Sequence, residues 1–284
     1  MRKLSLIVAA ALALGLAGCG APADTTTADN SGAATTAEGL TTITAGKLTI
    51  GTGEPAYEPW VLNDDPTTGE GFEAAVAYAV ADKLGFAKAD VVWVRTTFEE
   101  AIQPGPKNFD FNLQQYSITE ERTKVVDFSP AYYKVPFVVV TLASNPFASA
   151  TTVADLKGAK FGCASGDVAY DITRDTFSPT QDVAVFNDLA AVTQALNANQ
   201  IDAFVIDVPT ADYLVGSGEV EDGKIVGAIA GSENRTDGMA LLLEKDSPLT
   251  SAVTDALNAL TADGTIAGLE NKWLGQYDVP VLKQ

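Results

Sequence analysis

From Gly46 onward the chain alternates short apolar runs with segments of helical period. Residues 47–52 (KLTIGT) read as a short β-branched strand, and residues 71–86 place Phe72, Val76, Ala79, Val80 and Leu84 on one helical face. A strand follows at 90–94 (DVVWV), a helix start at 97–103 (TFEEAIQ) and a strand at 109–114 (FDFNLQ). Ser117 with Glu120 three residues on matches a capping box, which predicts a helix from Ser117; residues 135–143 (VPFVVVTLA) then read as a strand. After Asn145-Pro146 a second round begins: a short helix at 151–158, strands at 159–164 and 183–186, helices at 167–177 and 188–200, a strand at 201–207 (IDAFVID) and a helix at 209–218. The chain turns polar near 227–237, resumes a buried strand at 238–247 and ends in two helices over 248–277. Such alternation predicts an α/β architecture with mostly parallel sheets, and the two comparable rounds predict two lobes with a cleft between them. Open α/β sheets bind ligands at the carboxyl ends of their strands, so the cleft is the expected site.

The first 45 residues obey another pattern. Arg2 and Lys3 precede an apolar run that is too short and too early for a membrane span and that ends in Leu16-Ala17-Gly18-Cys19. Residues 1–18 are expected to be a lipoprotein signal peptide, because L-A-G-C resembles the lipobox after which the new N-terminal cysteine, Cys19, carries the lipid. Acyl chains there would anchor the protein to the outer face of the cell membrane. Residues 19–45 hold that cysteine and a Thr/Ala/Gly/Ser-rich stretch with few large apolar side chains, which predicts a flexible tether.

Composition narrows the chemistry. The 284 residues carry 37 acidic and 18 basic side chains, a net charge of −19. With no basic patch, nucleic acid is excluded as an expected partner. There is no histidine, which removes His-based nucleophile triads and the common His-containing zinc sites. After removal of the leader and lipidation of Cys19, only Cys163 remains as a thiol, so no internal disulfide is expected and Cys163 reads as a small buried hydrophobe.

Several segments together carry a family resemblance. KLTIGT, EPAYEPW, GEGFEAAVAYAVADKLGF, SITEERTKVVDFSPAYY, LKGAKFGCASGD, QALNANQIDAFVIDVPTADYL and LTADGTIAGLENKWLG resemble the family 3 extracellular solute-binding proteins, the polar-amino-acid receptors of ABC importers. The likeness spans residues 46–277, and the SITEER…VDFSPAYY block is its most specific part. It implies a periplasmic-binding-protein type II clamshell of two α/β lobes joined by a two-strand hinge. The first lobe is expected at 46–143 and 236–284 and the second at 148–228. The implied partners are an amino acid ligand and the permease subunits of the importer. The protein is expected to be a monomer, with no cofactor, no metal and no catalysis of its own. The alternative on the same fold is an enzyme such as a cyclohexadienyl or arogenate dehydratase, for which Glu54 or Glu73 could nominally serve as acid/base.

The candidate ligand residues follow. Arg122 is either a surface charge at i,i+4 spacing or, as the resemblance implies, the bidentate partner of the ligand's α-carboxylate, with Ser117 positioning it. Asp207 closes an apolar strand; it reads as an N-cap for the helix after Pro209, and the resemblance implies that it holds the α-ammonium. Tyr57 and Phe98 match aromatics that sandwich the ligand side chain, while Trp60 reads as core. Glu54 and Glu73 fall where basic-amino-acid binders of the family carry acids, a lean toward a cationic ligand, although Glu73 also suits a helix N-terminus. Gln114 and Gln115 stand where the family usually has small residues. Gly166 is followed by Asp167 and Val168 rather than by the usual hydroxyl residues, so the backbone N–H groups there are left to help the carboxylate and Asp167 reads as an N-cap.

Overall fold

The structure, a computed structural model, describes residues 39–284. The expected signal peptide, Cys19 and most of the tether lie outside the described residues. In chain order the elements are β1 (Leu48–Gly53), α1 (Phe72–Lys83), β2 (Val91–Thr96), α2 (Phe98–Ile102), β3 (Phe111–Asn112) and β4 (Val126–Tyr133). There follow β5 (Phe137–Leu142), β6 (Phe161–Ala164), α3 (Ala169–Phe177), β7 (Ala184–Phe186), α4 (Leu189–Asn197), β8 (Ala203–Asp207), α5 (Val208–Gly216) and β9 (Gly223–Ala228). The chain closes with β10 (Met239–Glu244), α6 (Thr250–Ala262) and α7 (Thr265–Trp273).

Two five-stranded sheets define two lobes, in the orders β2-β1-β3-β10-β4 and β7-β6-β8-β5-β9. The orders superimpose strand for strand, so the two sequence rounds are two copies of one plan. The sheets are mixed rather than mostly parallel. In each, the first three strands pair in parallel, and the strand entering from the other lobe, β10 or β5, runs antiparallel to both its neighbours. The reason is geometric: βα units run toward the cleft, whereas a strand arriving across the cleft runs away from it.

That topology corrects the expected lobe boundaries. Strand β5 belongs to the second sheet, so the chain crosses between Tyr133 and Phe137, not at 143–148. It returns between Ala228 and Met239. The C-terminal segment, expected in lobe 1, attaches to lobe 2. The Pro280 carbonyl accepts the Ala228 N–H at 2.7 Å, the Leu282 N–H donates back to Ala228 at 2.9 Å, and the Val153 N–H donates to Lys283 at 2.8 Å. Because α7 packs on α1 and α6, this tail is a third connection between the lobes.

Burial explains the local choices. Helix α1 turns Phe72, Val76, Val80 and Leu84 onto the first sheet, all at most 1 % exposed. Trp60 is fully buried against Phe72 and Tyr133, as the sequence suggests. Phe161 stacks on Phe177 at 5.0 Å within the second lobe, beside the buried Cys163. Strand β4 escapes the sequence reading because Pro130 interrupts it; a proline lacks the ladder donor but is tolerated on an edge, where β4 lies.

Candidate functional site

The carboxyl ends of β1, β2, β3, β6, β7 and β8 face one another across a cavity of about 420 Å³. Both lobes line it: Glu54, Tyr57, Phe98, Gln114, Gln115, Ser117 and Arg122 from the first, Asp167, Val168, Asp188, Asp207 and Thr210 from the second. Nine of the ten cleft residues singled out in the sequence are therefore brought together. Glu73 is not.

Arg122 begins a short 3₁₀ turn, Arg122–Lys124, and is only 7 % exposed, which removes the surface-charge reading. Its Nη1 donates to the Ser117 carbonyl at 2.7 Å, and its Nη2 crosses the cleft to donate to the Gly166 carbonyl, also at 2.7 Å. The guanidinium carbon lies 5.4 Å from the centre of the Phe98 ring, a cation–π contact on the face of the group while its donors hold the two carbonyls. Burial pushes the Arg122 pKa down and the nearby Asp167 pushes it up.

The expected helix from Ser117 is absent. Ser117 forms a β-bridge with Met239, and Thr119 caps the turn instead, its Oγ1 accepting the Arg122 N–H at 3.2 Å. Glu120 is exposed and pairs with Lys124 at 3.4 Å. The capping box fails because pairing with β10 holds Ser117 extended. The serine still serves Arg122, through its carbonyl rather than as a cap.

Asp207 both caps and lines. Its carboxylate accepts the Thr210 N–H and the Thr210 hydroxyl, each at 2.9 Å, at the start of α5. Thr210 in turn accepts the Trp60 indole N–H at 2.8 Å from the first lobe. Asp207 is 4 % exposed, and burial pushes its carboxyl up to about 6 against the pull of the Thr210 bonds. Asp167 accepts the Ala169 N–H at 2.9 Å, as a cap should, and burial raises its pKa while Arg122 lowers it. Gly166 adopts φ +73, a left-handed conformation that favours glycine where its carbonyl meets Arg122.

The aromatic walls are Tyr57, edge-on to Tyr213 at 6.4 Å, and Phe98, packed on Tyr116 at 4.9 Å. Burial raises the Tyr57 pKa, so its hydroxyl stays protonated. The Gln114 amide oxygen accepts the Tyr116 hydroxyl at 2.9 Å. Glu54 is exposed and lines the cavity, whereas Glu73 is buried behind it, bonded to Gln115. Sequence reading missed Glu99, Asp188 and Thr210. Asp188 could have been found as the cap of α4, where it accepts the Ala191 N–H at 2.7 Å; nothing local marks Glu99 as cavity-facing. In all, five carboxyl groups and one guanidinium line the cavity.

A cavity of amino-acid size between two α/β lobes, with one buried cation on one wall and one buried acid on the other, defines a small-molecule binding site. Residues 48–276 match the family model of the bacterial extracellular solute-binding proteins, family 3, and the chain belongs to that family. The arginine-binding extracellular protein of Bacillus subtilis is 27 % identical over 280 residues, covering 96 % of this chain and 98 % of that protein. A solved ancestral arginine-binding protein bound to arginine is similar at 27 % identity and a TM-score of 0.64, over 81 % of this chain and 99 % of that one. A solved ancestral amino acid-binding protein, described as a precursor of cyclohexadienyl dehydratase, is similar at 26 % identity and a TM-score of 0.63, over 81 % and 96 %. Among the described residues no helix is long and apolar enough to cross a membrane.

Proposed function

We propose that this protein is the extracytoplasmic substrate-binding component of an ABC importer, taking a polar amino acid with a cationic side chain into the cleft and delivering it to the permease. The observation that carries the reading is the placement of Arg122 and Asp207 on opposite lobes of one cavity. The ligand's carboxylate replaces the Gly166 carbonyl at Nη2 of Arg122 and converts a neutral contact into a charge-assisted pair. Its ammonium meets Asp207, and its side chain runs between Tyr57 and Phe98 toward the remaining acids. The five-to-one excess of carboxyl groups favours a net cation. Both arginine-binding relatives agree with that choice. Lipidation at Cys19, retention on the outer face of the membrane and action as a monomer complete the proposal.

A thermal-shift panel of the polar amino acids tests it. Ligand at about a hundred times its Kd adds about 2.7 kcal/mol of stability, a shift of several degrees. Stabilisation by arginine or lysine, with little from glutamate, is expected. Turnover of a prephenate-like acid, with no stabilisation by any amino acid, would establish the dehydratase alternative instead.

A further inference from the structure

Glu73 does not line the ligand cavity, yet it holds one of the cavity's walls. It lies in the first turn of α1, 1 % exposed. Its Oε1 accepts the backbone N–H of Gln115 at 2.8 Å and the hydroxyl of Tyr132, and its Oε2 accepts the Gln115 side-chain NH2 at 2.5 Å. Gln115 has φ +53, a left-handed conformation that a residue with a side chain holds only where its surroundings impose it. Glu73 grips that residue at both ends. Gln115 is half-buried and lines the cavity. Its amide oxygen receives no hydrogen bond among the described residues and is not sealed from solvent. The neighbouring glutamine is set the other way, with its oxygen already engaged by Tyr116.

We propose that Glu73 is a positioning residue for ligand selectivity: ionised, it takes the NH2 of Gln115 and so turns the amide oxygen toward the ligand, which makes the cavity select a side chain that donates hydrogen bonds. The inference rests on the cavity being the amino-acid site and adds a selectivity determinant outside it. An ionised carboxylate only accepts hydrogen bonds, so it admits one amide orientation. A protonated Glu73 can donate to the amide oxygen, and the amide then turns over and shows the ligand its NH2. The groups facing Glu73 are Tyr132 from β4, Tyr116 beyond β3 and Asp207 at the end of β8. Both tyrosine hydroxyls are kept protonated by burial, and the charge on Asp207 adds to the effect of burial in pushing Glu73 up to about 7. The two orientations therefore exchange near neutral pH.

Calorimetry with arginine and with norleucine tests this. The two share their α-groups, so Arg122 and Asp207 drop out of the affinity ratio. In the wild-type protein the preference for arginine should fall about fivefold or more between about pH 8 and pH 6. Glu73→Gln should lower the preference at the higher pH and remove its pH dependence, and in a Gln115→Ala background the same change should have no effect on the ratio. Should Glu73→Gln not fold, the wild-type ratio against pH carries the test alone. A wild-type ratio that stays flat over that range, or that Glu73→Gln leaves unmoved, overturns the inference while leaving the amino-acid reading in place. Absence of binding by arginine, lysine, glutamine, cystine and norleucine alike overturns both.

Discussion

Acidification should release the ligand, and Asp207 should be the main cause. In the free protein burial holds the Asp207 carboxyl at about 6, against an ordinary value of 3.8. An ammonium placed against it favours the ionised form and returns the value toward the ordinary one. Binding is then at full strength above about pH 7 and weakens as the pH falls through 6, because the free protein must surrender a proton before it can bind. At about pH 5 roughly nine-tenths of free molecules carry that proton and few complexes do. The affinity drops about tenfold, or ~1.4 kcal/mol. Asp207→Asn removes the charge and keeps an oxygen for the Thr210 N–H, so the fold should survive while affinity at neutral pH falls about a hundredfold. Calorimetric titrations of both proteins from about pH 8 to pH 5 give two curves, and their difference isolates Asp207 from Glu73. Parallel curves would refute the ammonium role.

Three further outcomes follow from the geometry. Arg122→Ala should abolish measurable binding of the ligand that the wild type takes, with circular dichroism unchanged, and Arg122→Lys should recover little because an ammonium lacks the planar fork that keeps one N–H on the Ser117 carbonyl and aims another at the carboxylate. Glu73 is raised from 4.5 to about 7 in the fold, so its ionisation opposes folding: the penalty is absent below about pH 4.5, grows with rising pH and is complete above about 7, at about 3 kcal/mol. Denaturant unfolding of Glu73→Gln against wild type should therefore favour the variant increasingly up to that pH, and a pH-independent difference would count against a buried charge. Deleting residues 278–284 frees the Ala228 N–H and carbonyl at the end of β9 and uncovers Leu282's contact, which should lower the unfolding midpoint by several degrees in a thermal melt.

The alternation of strands and helices was legible because each element pairs a clear period with a clear stop: α4 behind Asp188, α5 behind Asp207, α1 with its Phe72-to-Leu84 face. The lobe to which β5 belongs was not, since an apolar run of β-branched residues looks the same in either sheet. Ser117 misled because a capping box is a local pattern, and a β-bridge to Met239, far along the chain, overrides it. The place of Arg122 and Asp207 in the cleft was legible through the family resemblance, and the structure adds the bonds that hold them there. The burial of Glu73 could not be read: a first-turn acid usually faces water, and only the approach of Gln115 and Tyr132 turns this one inward.

The order of the first sheet bears on how the protein is made. Strand β10 lies between β3 and β4, yet the whole second lobe separates it from them along the chain. During synthesis the first lobe must wait with the position between β3 and β4 unfilled, whereas β5 to β9 emerge as one uninterrupted unit. Long-range pairing of this kind is slow and exposes sticky intermediates. For the proposed extracytoplasmic role that delay is an advantage: a first lobe that locks only when its last strand arrives leaves the chain loose for longer after synthesis begins.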